Sequence, residues 1–580
     1  MKRIYHYVKG YRLIFFFAII AIIIATIMQL AVPILIKYAI DSVIGNEPAG
    51  NMQILMDTFG KSLWGVVLII IVMSLLRGIF MFLKGYLSSH AAESIAEKTK
   101  NKLYTQIQYM SFDRHTRIET GDMLQRCTSD VETMRRFLGV QIVDLGRIVF
   151  MIIFTVAIML TMNVELTLYS VALIPILFLF SFIFFLKIQK IFKKSDEAEG
   201  TLTTVLQENL SGVRVVRAFG RERFEMGKFE EVNQNYKSIT YKLIEILAVF
   251  WSLSDFMTLI QNGIVLVVGA QMVISGEITI GILAAFITYS TMLLWPVKQL
   301  GRLLSELGKT TVSITRIDEI LAEPIEEDLS TEITPEILGH IEFKNVSFGY
   351  AENQKVLKNI TFDIPAGSTL GILGSTGSGK SSLVHLLQRL YDYEGSIKID
   401  GYELREIKRS YIRSKIGLVL QEPHLYAKTV KENIGITNKD YKEEDIEEAA
   451  KIASIHHNIL TFKEGYDTII GEKGVSLSGG QKQRIAISRT IISKDKRVLI
   501  FDDSLSAVDM ETDMRIRNEL KKRSKDITTL IISHRITTLA ESDQIIVLDE
   551  GRIVQHGTHE QLVRQEGLYK RIWNLQQMAI

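Results

Sequence analysis

Six apolar stretches crowd the first 300 or so residues, and each is long enough to cross a membrane. Residues 11–39 and 63–87 exceed the roughly 20 helical residues that span a hydrocarbon core of about 30 Å. Four more follow at about 138–161, 165–187, 243–275 and 278–300. The first is too long to be a cleaved signal peptide and lacks a small-residue cleavage site. An apolar content of 47% agrees with a chain that lies partly in a bilayer, and a net charge of only +2 argues against a nucleic-acid binder. The single cysteine, Cys127, excludes an internal disulfide framework or a cysteine-based metal cluster and reads as a small buried thiol.

Lysine and arginine set the orientation. The start, MKRIYHYVKGYR, carries Lys2, Arg3, Lys9 and Arg12 without an acid, which places the N-terminus in the cytosol. The loop DSVIGNEPAGNMQILMD, 41–57, has acids and no Lys or Arg and faces outward; MNVE at 162–165 and SGE at 275–277 are short outer turns. The gaps 88–137 and 188–242 are rich in Lys and Arg and lie inside. Each holds roughly 50 residues of helical pattern, enough for an antiparallel pair reaching about 37 Å beyond the membrane. A stretch rich in acid, proline and threonine, 323–338, separates a membrane domain, 1–322, from 339–580, where short β-rich runs alternate with helices as in an α/β domain.

That second half carries nucleotide chemistry. GILGSTGSGKSSLVHLL, from Gly371, holds the pattern G-x-x-x-x-G-K-S between a strand-like run and a helical one. The backbone of Gly374, Ser375, Thr376, Gly377, Ser378 and Gly379 can wrap phosphates, whose charge then faces amide N–H groups and a helix N-terminus. Lys380 reaches the β and γ phosphates, Ser381 holds Mg²⁺, and Ser382 continues the motif. In RVLIFDDSLSAVD, 497–509, an apolar strand runs into two acids. Asp502 fits a Mg²⁺ ligand acting through water, and Asp503 stands where a general base for the attacking water belongs.

Between these lies SLSGGQKQR, Ser476 to Arg484. Together with the phosphate loop it resembles the signature of ATP-binding cassette (ABC) proteins. The resemblance runs through 340–560 and implies roles residue by residue. Tyr350 in VSFGY occupies the position that stacks on adenine. Gln421 in LVLQEP matches a glutamine that senses Mg²⁺ and contacts the membrane domain. His534 in LIISHR matches a histidine that contacts the γ-phosphate, SAVD at 506–509 a loop at the dimer interface, and GEKG at 471–474 a segment of the exporter branch. Ser478, Gly479, Gly480 and Gln481 open a helix and so form a second anion site, which in the family completes the ATP site of a facing domain. FDRHTRIETGDMLQR, 112–126, and LQENLSGVRVVRAFGRE, 206–222, are similar to the tips of the two cytosolic hairpins of ABC exporters, where short helices dock on nucleotide domains.

The resemblance implies a half-transporter of the bacterial plasma membrane: an all-α domain of six transmembrane helices with long cytosolic extensions, fused to an α/β phosphate-loop domain that uses ATP and Mg²⁺ in the cytosol. One departure matters. Family members that hydrolyse ATP briskly carry glutamate where Asp503 stands, and a carboxylate withdrawn by about an ångström can cost about a hundredfold in rate. The expectation is a heterodimer in which the intact LSGGQ serves a homologous partner's competent site, in preference to a homodimer using Asp503 as a weak base. Multidrug export of hydrophobic molecules leads, with lipid or peptide export and, from another class, an ATP-gated channel or sensor as alternatives. Arg77, Asp144, Arg147, Glu245, Asp255, Gln261 and Asn262 fall in or near apolar segments, where polar groups face a cavity or a partner. Phe250, Trp251, Phe256 and Met257 offer an adaptable aromatic surface.

Overall fold

The structure, a computed structural model, describes residues 2–44, 63–351, 354–438, 440–471, 477–506, 508–523 and 526–578. The outward loop 41–57 lies outside the described residues from 45 on, GEKG from 472 on, and Ala507 of SAVD likewise. The chain divides into two compact units, Met1–Gln108 with Ile118–Glu323 and Tyr109–Arg117 with Pro324–Ile580.

Six helical spans among the described residues are long and apolar enough to cross a membrane: Ile4–Asp41, Leu63–Tyr109, Thr120–Met162, Val164–Ala218, Glu222–Ile274 and Ile280–Leu321. Neither Leu63–Tyr109, 47 residues, nor Glu222–Ile274, 53 residues, contains a proline, and both run unbroken. At 1.5 Å per residue the longer one extends about 80 Å, far beyond a hydrocarbon core of about 30 Å. The first hairpin tip carries a separate short helix, Phe112–Arg117. The second differs from expectation. The helix Ile174–Ala218 runs through to its end, the chain reverses at Gly220 with φ +61, and Glu222–Ile274 begins. Glycine's access to the left-handed region makes so short a reversal possible, leaving no residues for a separate docking helix.

The fourth span breaks between Val164–Val171 and Ile174–Ala218, where Pro175 occupies the first turn of the second helix. Gln261, fully buried on the fifth span, mends the break: Nε2 donates to the Tyr169 carbonyl at 2.7 Å, and Oε1 accepts from the Leu173 N–H at 3.2 Å. Gln261 therefore serves the backbone at the break, the Leu173 N–H and a Tyr169 carbonyl that the Ala172 N–H reaches only at 3.4 Å, rather than lining a cavity. Phe250 is also fully buried, ringed by Phe180, Phe184, Phe185 and Trp251. Asp144 pairs with Lys84 at 3.1 Å and Asp255 with Lys298 at 2.8 Å. Cys127 is half-buried rather than buried.

Among the described residues the second unit is built on ten strands: β1 Ile341–Ala351, β2 Gln354–Ile364, β3 Thr369–Gly374, β4 Glu394–Ile399, β5 Tyr402–Glu403, β6 Ile416–Val419, β7 Val498–Asp502, β8 Thr528–Ile532, β9 Gln544–Asp549 and β10 Arg552–Gly557. Four form an antiparallel sheet in the order β2-β1-β4-β5. Six form a second sheet, β10-β9-β3-β8-β7-β6, parallel except for the β10 edge. All five residues of β7 are buried, as a central parallel strand covered on both faces requires. The stretch from Pro324 is tied to this unit. Ile333 bridges Ile407, Glu326 pairs with Arg413 at 2.7 Å, and the buried Glu332 meets Arg389 at 2.9 Å.

Candidate nucleotide site

In open parallel sheets, ligands bind beyond the carboxyl ends of the strands. There the chain leaves β3 through the loop 374–379, and Gly377 and Gly379 adopt φ +82 and +97, values an L side chain rarely accepts. The helix Lys380–Leu387 starts directly after, with Gly379 as its N-cap, so its first N–H groups open onto the loop. Lys380 is buried, its Nζ donating to the carbonyls of Gly374 at 3.0 Å and Ser375 at 2.9 Å. Burial pushes its ammonium below the usual lysine range, and the carboxylates of Asp503 and Asp502 pull against that shift. The Ser378 hydroxyl is buried without a hydrogen-bond partner, facing a loop whose Gly377 leaves open space.

Asp502 ends β7, one strand beyond β8 from the loop. Its Oδ1 accepts from the Ser381 hydroxyl at 3.1 Å. Burial raises its carboxyl above the ordinary range, and the Ser381 hydrogen bond opposes the rise. Two hard oxygen donors this close suit Mg²⁺, which keeps several waters and takes only a few protein oxygens. Mg²⁺ bound there would neutralise charge on phosphate oxygens.

Asp503 sits at φ +43, a left-handed conformation that Asp tolerates better than most residues. Its N–H donates to the Ile532 carbonyl at 3.0 Å, and its own carbonyl accepts from the Ser506 hydroxyl at 2.7 Å. The Asp503 Oδ1 is buried and has no hydrogen-bond partner.

The other expected residues gather less tightly. The Tyr350 hydroxyl shares a 2.8 Å hydrogen bond with Ser382, bringing the ring to the start of the phosphate-loop helix. His534 and Gln421 are exposed just beyond β8 and β6, on the same edge of the sheet as Asp502. Thr376 is exposed, and the Ser375 hydroxyl donates to Asp549 at 3.2 Å. Ser478 caps the helix Gly479–Ile491 in a reciprocal box: its hydroxyl oxygen accepts from the Gln481 N–H and its N–H donates to the Gln481 side chain at 2.9 Å. A hydroxyl that accepts inward keeps its own proton to donate outward. This helix packs on 430–435, 443–452 and β6, whereas Lys380–Leu387 packs on β2 and β3. No hydrogen bond joins Ser478–Gln481 to the phosphate loop among the described residues.

Two contributors escaped sequence reading. Tyr391 sits edge-on to Tyr350 at 5.2 Å and receives Phe112, from the first hairpin tip, at 5.5 Å. Arg535 donates to the carbonyls of Ser506 at 2.7 Å and Val508 at 3.0 Å, clamping the SAVD loop beside His534. An isolated tyrosine or arginine carries no spacing signal, although the 112–126 tip motif did point to docking.

A glycine-wrapped lysine, a serine–aspartate pair and a separate capped LSGGQ helix, in a chain that also carries six membrane-spanning helices, define an ATP-driven membrane transporter. Residues 15–297 match the family model of the ABC transporter transmembrane region and residues 357–506 that of the ABC transporter itself, and the chain belongs to this family, as an exporter half-transporter with one membrane and one ATP-binding domain. It is 34% identical over 581 residues to YknU of Bacillus subtilis, an uncharacterized ABC transporter ATP-binding protein, covering 99% of this chain and 97% of that one. YgaD of the same organism, provisionally named a multidrug export ATP-binding/permease protein, is 32% identical over 583 residues, 100% of this chain and 99% of its own. A Staphylococcus aureus protein with the same provisional name is 33% identical over 588 residues, the whole of both chains. The fold superposes with a TM-score of 0.81 and 25% identity on a bacterial Atm1-family ABC exporter solved with ATP bound, covering 97% of this chain and 98% of that one. The chain is a multi-pass protein of the bacterial plasma membrane that couples ATP hydrolysis to transport. ABC exporters act as dimers, and their ATPase domain binds ATP, normally with Mg²⁺.

Proposed function

We propose that this chain is the slow-site half of a heterodimeric exporter that moves hydrophobic or amphipathic small molecules, several drugs among them, out of the cell. Lys380 holds the β and γ phosphates, Ser381 and Asp502 hold Mg²⁺, Tyr350 covers adenine, and Gln421 and His534 address Mg²⁺ and the γ-phosphate. The helix tip Ser478–Gln481 completes the ATP site of a homologous partner, which performs the faster hydrolysis. The provisional names of the Bacillus and Staphylococcus relatives support the substrate class.

The anchoring of Asp503 carries this reading. Its backbone is held on one side by Ile532 and on the other by Ser506, so a chain shift cannot restore the methylene that glutamate would add. The exposed apolar tip of the second hairpin, with Phe219 at 75% and Phe224 at 63% exposure, adds a surface that a second subunit would cover. The test is ATPase activity of this chain purified alone and together with the half-transporter encoded beside it. The expected result is slow turnover alone and brisk turnover in the pair; brisk Mg-ATP turnover by the lone chain overturns it.

A further inference from the structure

The fifth and sixth spans run antiparallel and are joined by two polar contacts in matching register. Asn262 donates to Thr291 at 3.4 Å, and two helical turns deeper on both helices Lys298 Nζ meets Asp255 Oδ1 at 2.8 Å. The lower pair is lopsided. The Lys298 side chain is 6% exposed and that of Asp255 71%. Lys298 therefore pins one carboxylate oxygen from behind while the carboxylate looks outward.

A carboxylate this exposed shuns acyl chains, so the face borders the headgroup layer, an aqueous path or a second subunit. The turn before Ile280 marks one membrane surface, and Asp255 and Lys298 lie about 28 Å and 27 Å of helical rise away from it. That is the far margin of a hydrocarbon core of about 30 Å, where the charged head of an amphipath rests. Helical spacing adds two exposed tryptophans to the same face: Trp295, 53% exposed, one turn outward of Lys298, and Trp251, 42% exposed, one turn inward of Asp255. The next cation, Arg302, is exposed one turn inward of Lys298, which favours the Trp295 side for a positively charged guest. A carboxylate oxygen beside indole faces is the chemistry that takes large, weakly hydrated organic cations.

Resting on the exporter reading above, we propose that Asp255, oriented by Lys298 and flanked by Trp251 and Trp295, is the recognition carboxylate for lipophilic cations entering from the inner leaflet. The charge arithmetic separates this from a structural ion pair. Removing the carboxylate removes the attraction, whereas removing the lysine frees it.

The full chain in lipid nanodiscs, in the dimer in which it is isolated, is titrated at pH 8 with tetraphenylphosphonium and with neutral triphenylphosphine oxide, read by tryptophan quenching. The expected result is a preference of about tenfold for the cation, lost in Asp255→Asn, kept in Asp255→Glu and increased in Lys298→Gln, with thermal unfolding confirming that each variant is folded. Equal binding of both probes by the unaltered protein, or equal weakening by Asp255→Asn and Lys298→Gln, overturns the proposal. ATP-driven uptake into inside-out vesicles separates the two readings. Uptake of neutral compounds without a cation preference sinks this subsite and leaves export standing; cation binding with the stated charge pattern but no uptake of any compound sinks export and leaves the subsite.

Discussion

The Ser381 hydroxyl donates to Asp502 Oδ1 at 3.1 Å, joining residues 121 positions apart in the chain. The contact arises because β3 and β7 both flank β8, so the helix entered from one strand faces the acid that ends the other. If these two oxygens share Mg²⁺, Asp502→Asn and Ser381→Ala should weaken nucleotide affinity only when Mg²⁺ is present. Loss of an outer ligand costs about 10- to 100-fold in metal affinity. Titrating a fluorescent ATP analogue with Mg²⁺ and with EDTA reads this directly. Equal affinity of variant and unaltered protein in Mg²⁺ would place the metal elsewhere.

Asp503→Glu should raise the ATPase rate of the lone chain, by about tenfold to a hundredfold, because about an ångström of reach is restored. The gain comes with a small loss of stability. Position 503 sits at φ +43, a left-handed conformation that costs an L residue about 1–2 kcal/mol and that the short aspartate tolerates better than a longer side chain. Phosphate release and a melting curve on one preparation check both parts. A rate unchanged while the variant stays folded would show that the short acid is not what limits this site.

The nucleotide chemistry was legible in the sequence because phosphate binding needs backbone shape, and backbone shape needs glycine at fixed spacing. Gly377 and Gly379 announce the loop, and the apolar run of β7 announces Asp502. The six spans were legible for an equally general reason, the cost of polar groups in hydrocarbon. What stayed hidden depends on long-range packing. Gln261 reads as a polar residue in a membrane, hence a cavity candidate, until the break at 172–173 beside it becomes visible. Arg535 and Tyr391 act through contacts whose partners lie far off in sequence or in another motif. The second hairpin tip falls within 206–222 as expected, but without a separate short helix, because one glycine, Gly220, shortens the reversal to a few residues.

Gln261→Leu should be clearly destabilising, although the new side chain suits a membrane better by hydropathy. It strands the Leu173 N–H and leaves the Tyr169 carbonyl with only the 3.4 Å bond from the Ala172 N–H. An unsatisfied buried polar group costs about 1–3 kcal/mol. Thermal unfolding in detergent reads the loss, and Gln261→Asn, too short to reach both groups, should fall between. A leucine variant as stable as the original would mean that the break finds other partners.

The first and sixth spans are held at one end by a single carboxylate. Asp41 is 9% exposed; its Oδ2 accepts from the Thr279 hydroxyl at 2.5 Å, and its Oδ1 from the Gly281 N–H at 2.8 Å. The side chain thus caps a helix N-terminus belonging to another span, where the dipole favours negative charge. Gly281 is required for closeness rather than for backbone freedom, since a Cβ there would lie 2.5 Å from the Asp41 carboxylate. Gly281→Ala should push the carboxylate off its donors and cost about 1–3 kcal/mol, the usual range for forced overpacking. Asp41→Ala removes the cap and should cost about 0.5–2 kcal/mol. Because the alanine at 281 harms only by displacing Asp41, the double variant should be less destabilised than the sum of the singles. Additive losses in thermal unfolding would show that the two residues act independently and that the cap does not join the spans.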